Sequence, residues 1–250
     1  MKRQQIKLLI FFKCSGSKNH AARQFDIDAR WSIWTNETHA SIQKCRDNVW
    51  SNPNHIAWRE GFNQAFAIYN GLFYQNINRL EIAASINRGQ VLVGILSAGY
   101  GLVDANEKIM NYDATMARTN KTTPNAPFWH QHGLSTIVAN VIASIRPQYV
   151  LCFLGREKRK YSPFIIAAAE QLARQGSFDG IIINYDVIYR GRYGQADESA
   201  VLAAAVNYLF SENITHVQVD NFIRQVRAGD FHFEAHSLRE AHIYPPNEVL

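Results

Sequence analysis

Four apolar segments of this sequence each end in small, hydroxyl-bearing or charged residues that are suited to chemistry. Cys14 and Lys18 follow the first segment, and Asp104 and Asp113 follow the second. A thiol whose pKa is lowered by its surroundings is a nucleophile, and a carboxylate can act as a general base for water. Cys14, Lys18, Asp104 and Asp113 are therefore the candidate catalytic residues.

The same two loops also carry groups that can bind a ligand. Glycines there permit backbone angles, or a close approach of the backbone, that a side chain would forbid. The predicted ligand contacts are Ser15, Ser17, Ser97, Tyr100, Gly101 and Tyr112. Structural interpretations stay open beside these: a plain turn for the glycines, a small core residue for Cys14 and a solvated surface lysine for Lys18.

The elements that would position these residues can be read from the apolar pattern. Apolar runs predict buried strands at residues 6–12, 91–96, 149–154 and 181–183. Amphipathic patterns predict helices within residues 59–87, 135–145, 164–174, 198–210 and 219–226, and residues 97–128 are predicted to be loop. Buried strands that alternate with helices indicate an α/β fold with a mostly parallel central sheet and helices on both faces. Because ligands bind beyond the carboxyl ends of such strands, the four strand ends should form one site.

Length and composition favour one domain. The 250 residues are expected to form a single α/β domain over 1–250, with a Trp-rich elaboration at about 21–58. That elaboration is either an aromatic cap over the sheet or a substrate-facing insertion. No apolar run approaches the ~20 residues of a membrane span. The start of the chain also lacks the cleavage site of a signal peptide, so a cytoplasmic protein without a membrane partner is expected.

Cysteines and histidines give no sign of a disulfide framework or a metal site. Cys14, Cys45 and Cys152 lack CxxC spacing, and Cys152 lies inside an apolar segment that assigns it to the core. The histidines have no zinc-ligand spacing with cysteine or acidic partners; those considered are His130, His132, His232, His236 and His242. We therefore expect no metal and no cofactor.

The charge of the chain favours an anionic partner. The formal net charge is +5, and nucleic acid is the usual partner of a basic protein. Basic residues follow the third and fourth strands: Arg156, Lys158, Arg159, Lys160, Arg190 and Arg192. Such runs are often only a solvated face. Two basic loops with aromatic residues at the edge of one site are better explained by contacts with phosphates, and these six are the predicted nucleic-acid contacts.

Several motifs resemble the YaaA-like superfamily. Residues 97–102 match its Ser-Ala-x-Tyr-Gly-Leu segment after a strand, and residues 109–113 match its Ile-x-x-Tyr-Asp element. Residues 14–18 are similar to its Cys-Ser-x-x-Lys loop, and residues 67–73 to its Ala-x-x-Tyr-x-Gly helix. The resemblance covers residues 6–18 and 67–155, about half of the chain. It implies a YaaA-like α/β fold and a connection with nucleic acid.

Within that superfamily, the chain resembles in length and basic charge the DpdC proteins of bacterial 7-deazaguanine DNA-modification clusters. This resemblance implies conversion of the nitrile of 7-cyano-7-deazaguanine in DNA to the amide. DNA containing that base would be the partner, together with other proteins of the cluster. The alternatives are a non-catalytic DNA-binding stress protein of the YaaA type and a hydrolase acting on free nucleobases.

Nitrile hydration needs a covalent nucleophile or a strongly activated water, because the nitrile carbon is electrophilic but slow to react. Cys14 is the candidate nucleophile, which would form a thioimidate that water resolves. Asp104 or Asp113 would serve as base or hold the edge of the substrate, and a non-covalent route would use Lys18 or Asp113 to orient water. Aromatic residues that either stack on a flipped base or pack over the sheet edge are Tyr100, Tyr112 and Trp129.

Overall fold

The computed structural model describes residues 8–19, 24–51, 57–114, 116, 124–154, 160–186, 195–211, 214, 216–228, 232–233, 236–237 and 240–244. Its strands are β1 (Leu8–Lys13), β2 (Ala57–Gln64), β3 (Val91–Ser97), β4 (Gly101–Asp104), β5 (Lys108–Asp113), β6 (Tyr149–Phe153), β7 (Ile181–Asp186), β8 (His232–Phe233), β9 (His236–Ser237) and β10 (Glu240–Tyr244). Its helices are α1 (Asn36–Trp50), α2 (Ala65–Ile68), α3 (Leu72–Asn76), α4 (Arg79–Asn87), α5 (Ala126–Gln131), α6 (Leu134–Ile145), α7 (Ser162–Gln175), α8 (Gln195–Leu209) and α9 (His216–Ala228).

Six strands form the central sheet in the order β10-β7-β6-β1-β3-β4. The four inner strands are parallel, whereas β10 and β4 pair antiparallel with β7 and β3 at the two edges. All residues of β3 and β6 are buried, so both faces of the sheet are covered at its centre. The predicted α/β class with a mostly parallel sheet is confirmed, and the YaaA-like subtype stays an expectation.

Local sequence signals explain where several helices begin and end. Thr35 and Thr38 form a capping box at the start of α1, in which each side chain accepts from the backbone N–H of the other. Helix α7 has a proline in its first turn and stops at Gly176, whose φ of 57° is left-handed. These ends set the position of the loops between strands and helices.

Two predicted assignments are wrong. Residues 59–64, predicted to be helical, belong to β2, and much of the predicted loop at 97–128 forms β4, β5 and the start of α5. Strand β2 pairs antiparallel with β5 in a separate two-stranded sheet. Phe62, which the helical pattern placed on a buried face, is 64% exposed. Pairing between distant segments decided these elements, and a local pattern does not contain that information.

Two indoles of the Trp-rich elaboration hydrogen-bond to other parts of the domain. Trp31 Nε1 donates to the backbone oxygen of Asn87 at 3.2 Å, and Trp34 Nε1 donates to Glu107 Oε2 at 3.1 Å. The side chains of Trp50 and Trp58 lie outside the described part of the chain. The two described indoles thus hydrogen-bond to the end of α4 and to the segment between β4 and β5.

A buried ion pair joins α1 to the turn between β4 and β5, and the same arginine also bonds to the β3–β4 hairpin. The Arg46 side chain is fully buried and pairs with Glu107, whose own side chain is 17% exposed. Arg46 Nε also donates to the backbone oxygen of Tyr100 at 3.1 Å, and Nη2 donates to that of Leu102 at 2.5 Å. Arg46 thereby satisfies carbonyls on both sides of Gly101 and fixes the hairpin that follows β3.

Gly101→Ala should destabilise the protein more than Gly133→Ala. Both residues have a left-handed φ, of 74° and 72°, so each alanine incurs a backbone strain of ~1–2 kcal/mol. A Cβ at Gly101 would lie 2.8 Å from the ring of buried Trp129, whereas one at Gly133 meets nothing within 4 Å. Overpacking at Gly101 should add about 1–3 kcal/mol. Urea unfolding measures the free energy of unfolding of both variants. Equal losses would show that the Trp129 ring moves to accommodate the added carbon.

Candidate active site

A cavity of about 600 Å³ lies at the carboxyl end of β1. It is lined by residues 13–17, by residues 71–74 at the start of α3, by Lys160 and Tyr161 before α7, and by Ser199 of α8. This volume is in the range of sites for small molecules. Four separate segments of the chain thus meet beyond the carboxyl ends of the parallel strands, where the ligand is predicted to bind.

Cys14 sits in this cavity directly after β1. Its backbone N–H donates to the oxygen of Leu96 at 2.8 Å, which continues the pairing of β1 with β3. Its Sγ accepts from the backbone N–H of Ala98 at 3.4 Å. Sγ also lies 3.3 Å from Oη of Tyr161, and either group can donate. An N–H and a phenol at one sulfur can stabilise the charge of a thiolate.

The loop after Cys14 is held by short contacts of its own and by the segment before α3. The Ser17 N–H donates to Ser15 Oγ at 3.1 Å, and an antiparallel bridge joins Lys18 to Tyr69. A Cβ on Gly71 would lie 2.2 Å from Ser15 Oγ, so a larger residue here would force the serine hydroxyl to rotate away. Because Gly71 has no side chain, the Ser15 hydroxyl can occupy the space beside it.

Three hydroxyls form a closed, buried cluster near Cys14. Tyr69 Oη donates to Ser97 Oγ at 3.1 Å and lies 2.9 Å from Tyr112 Oη, and the latter lies 2.8 Å from Ser97 Oγ. Burial raises the pKa of both phenols well above their ordinary value, and negative charge at Cys14 would raise each pKa further. Both tyrosines therefore stay protonated and keep their hydrogen bonds within the cluster.

Lys18 lies beside this cluster. Its Nζ is 4.1 Å from the centre of the Tyr112 ring, a distance typical of a cation–π contact. The structure thus brings Lys18, Ser97 and Tyr112 together, but as a packed and hydrogen-bonded group and not as part of the cavity lining.

Tyr100 and Gly101 lie in the hairpin behind this cluster. Oη of Tyr100 accepts from the backbone N–H of Met110 at 2.8 Å, and its ring packs edge-on against Tyr112 with centroids 5.6 Å apart. Trp129 is buried against Gly101 and donates from Nε1 to the backbone oxygen of Ala98 at 2.7 Å. In this arrangement the three aromatic side chains pack within the core.

Asp104 is positioned away from the cavity because β4 runs antiparallel to β3 and pairs it with Gly94. Its Oδ2 accepts from the backbone N–H of Ile33 at 2.7 Å and from Ser32 Oγ at 3.1 Å. Its Oδ1 accepts from the N–H of Asn106 at 2.8 Å. These bonds anchor the segment before α1 to the end of β4.

The Asp104 carboxyl should titrate near pH 6. Burial raises its pKa from 3.8 to about 6, against the lowering effect of the hydrogen bonds from Ile33 and Asn106. A raised folded pKa means that the folded state holds this proton more tightly. The protonated carboxyl therefore contributes ~3 kcal/mol to the free energy of unfolding. This contribution is complete below about pH 4 and is lost as the pH rises through 6.

Carbon-13 NMR of the Asp104 carboxyl, assigned with Asp104→Asn, measures this titration. Urea unfolding at pH 4 and pH 7 should show that wild type loses stability relative to Asp104→Asn between the two values. A midpoint at or below pH 4 would show that the hydrogen bonds outweigh burial.

Other predicted site residues fall outside the described part of the chain. These are Arg156, Lys158, Arg159, Arg190 and Arg192, together with the side chain of Asp113, whose backbone ends β5 opposite Ala57. Lys160 is described and lines the cavity. Among the residues that the structure does describe, no helix has the length and apolar character of a membrane span, and no three His, Cys, Asp or Glu side chains converge as metal ligands would.

Several residues that line the cavity are not marked by any motif in the sequence. Tyr161 is separated from Cys14 by 147 positions, and its only local signal is that it follows the basic run that ends at Lys160. Tyr74 donates from Oη to the backbone oxygen of Lys13 at 2.6 Å and closes one wall. Ser199 comes from the Ala-rich helix, where nothing in the local pattern distinguishes it from a core-facing residue.

Comparison of the chain with family models, curated proteins and solved structures gives no match. The resemblance to the YaaA-like superfamily therefore rests on the short motifs quoted above. The function has to be inferred from the chemistry of the cavity.

Proposed function

We propose that the cavity is the active site of an enzyme that hydrates a nitrile to an amide, with 7-cyano-7-deazaguanine in DNA as substrate. The observation that carries the proposal is the position of Cys14 Sγ in the cavity, 3.3 Å from Tyr161 Oη and 3.4 Å from the N–H of Ala98. A thiol beside a phenol supplies both the nucleophile and the proton that addition to a nitrile requires.

In the first step, Sγ of Cys14 adds to the nitrile carbon, and one π bond of the carbon–nitrogen triple bond breaks. The thiol proton passes to Oη of Tyr161 while the phenol proton passes to the nitrile nitrogen, which gives a neutral thioimidate. No net proton leaves or enters the site. The Ala98 N–H stabilises the partial negative charge on sulfur at the start of the reaction.

In the second step, water adds to the thioimidate carbon and its proton goes to the imino nitrogen, giving a tetrahedral adduct with OH, NH2 and the Cys14 sulfur. The C–S bond then breaks, and the hydroxyl proton returns through Tyr161 to the departing sulfur. The products are the amide and the free thiol. Expulsion of ammonia from the same adduct would give a thioester and then an acid, so the choice of leaving group decides the product.

The choice of substrate rests on the motif resemblance, and the cavity is compatible with it. A volume of about 600 Å³ is enough for a purine-sized base. A base within a duplex has to be taken out of the stack before an enzyme can act on it. The described part of the cavity rim includes Lys160, one of the predicted contacts with the DNA backbone.

A non-catalytic DNA-binding role is the second candidate. The observation that favours it is that lysines at positions 13 and 160 both line the cavity, which suits a nucleic-acid backbone whether or not chemistry follows. The same protein would then hold DNA without altering the base.

One assay separates these functions. The protein is incubated with DNA that contains 7-cyano-7-deazaguanine and, separately, with the free base, and the products are identified by mass spectrometry. Amide formed from the DNA supports the proposal, whereas amide formed only from the free base indicates a hydrolase of nucleobases. No product from either substrate favours the binding role. After an acid quench, the mass of the intact protein should rise by that of one substrate molecule. A digest should place this added mass on the peptide that contains Cys14.

A further inference from the structure

The turn between β3 and β4 presents a backbone N–H to the reactive sulfur. This turn consists of the three residues that follow Ser97, and the N–H of Ala98 donates to Cys14 Sγ at 3.4 Å. The N–H of Tyr100 donates to Ser97 Oγ at 3.2 Å, and Arg46 Nε donates to the backbone oxygen of Tyr100. The turn is therefore bonded at both of its ends.

One buried side chain bonds to the residue that carries this N–H. Trp129 of α5 donates from Nε1 to the backbone oxygen of Ala98 at 2.7 Å, and its indole is fully buried. A Cβ at Gly101 would lie 2.8 Å from the indole, and the Phe128 ring packs edge-on against it with centroids 5.3 Å apart. Because the indole is packed closely and its N–H can only donate, this bond holds the Ala98 carbonyl in one orientation.

We infer that Trp129 is a positioning residue for Cys14: its hydrogen bond to the Ala98 carbonyl keeps the Ala98 N–H directed at Sγ. This inference rests on the proposed function, because it concerns the group that assists the proposed nucleophile. The N–H and the carbonyl of one residue are joined through its Cα, so a turn whose carbonyl is released can rotate its N–H away from the sulfur. Hydrogen bonds to a charged atom are stronger than neutral ones, and the thiolate is the reactive form of cysteine.

Trp129→Phe tests the inference, because phenylalanine keeps an aromatic ring and lacks the donor. Alkylation of Cys14 by iodoacetamide is followed by mass spectrometry of its peptide, at pH 7 and at about pH 10, where thiols are mostly ionised. The ratio of the rate at pH 7 to the rate at pH 10 should fall about threefold to tenfold in the variant. A core that is merely loosened would expose the thiol and raise both rates together, so it would not lower this ratio.

Trp31→Phe is the matched control. Trp31 also donates from Nε1 to a backbone oxygen, that of Asn87 at the end of α4, and also packs against a glycine with a left-handed φ, Gly89. This control should leave the ratio unchanged. An unchanged ratio in Trp129→Phe, or an equal fall in the two variants, would overturn the inference.

A second replacement serves if circular dichroism shows that Trp129→Phe does not fold. Benzothienylalanine at the position of Trp129 keeps the shape of the indole and has sulfur in place of the N–H, and the same fall in the ratio is expected. Alkylation requires no nitrile, so this result is independent of the amide assay. An unchanged ratio beside amide formation by the wild type contradicts this inference alone, whereas a lowered ratio without any amide contradicts the proposed function alone.

Discussion

Cys14→Ala protein should form the amide at least ~10³-fold more slowly than wild type, because the covalent route loses its nucleophile. The fold should not change, since the residue is only half-buried and the hydrogen bond from its backbone N–H to Leu96 is kept. Initial rates from mass spectrometry of the product nucleoside, measured beside a thermal unfolding curve, test both statements.

Three further variants make this result specific. Cys45→Ala removes another half-buried thiol, one that donates to the backbone oxygen of His132, and should keep full activity. Tyr161→Phe keeps the ring and removes the proton relay, so the rate should fall by roughly 10²–10⁴-fold. Cys14→Ser keeps a hydroxyl of lower reactivity and should not restore the rate. Full activity in Cys14→Ala would mean that the covalent route is wrong even if the amide is the product.

Arg46→Ala should destabilise the protein by about 3–5 kcal/mol, because it leaves Glu107 as a mostly buried and unpaired charge. The same change removes the donors to the backbone oxygens of Tyr100 and Leu102. Arg88→Ala is the matched control, since Arg88, directly after α4, forms a partly exposed ion pair with Glu81 of that helix. The control should cost about 0–1 kcal/mol.

Urea unfolding at neutral pH measures both free energies. If the two arginine variants lose the same stability, the buried pair contributes no more than a surface pair. The loss at Arg46 should also spread to the site, because the β3–β4 hairpin that Arg46 fixes contains Ala98, whose N–H donates to Cys14 Sγ. Hydrogen exchange at the Ala98 amide should therefore be faster in Arg46→Ala and unchanged in Arg88→Ala.

The sequence by itself determined the parallel strands and the edge at which a ligand would sit. Continuous apolar runs at β1, β3, β6 and β7 encode burial on both faces, and parallel strands place their carboxyl ends at one edge. Cys14 and the serine loop follow β1 directly, so their location at that edge was predictable from local pattern alone.

Only the tertiary structure decided which polar residues meet there. Asp104 and Cys14 both follow predicted strands, but β4 turns back antiparallel and pairs Asp104 with Gly94. Tyr161 reaches Cys14 across 147 positions because β6 lies next to β1 and α7 begins above their shared edge. The physical reason is that the spacing of apolar residues indicates whether a segment is buried. Which other segments it packs against is decided by the packing of the whole chain.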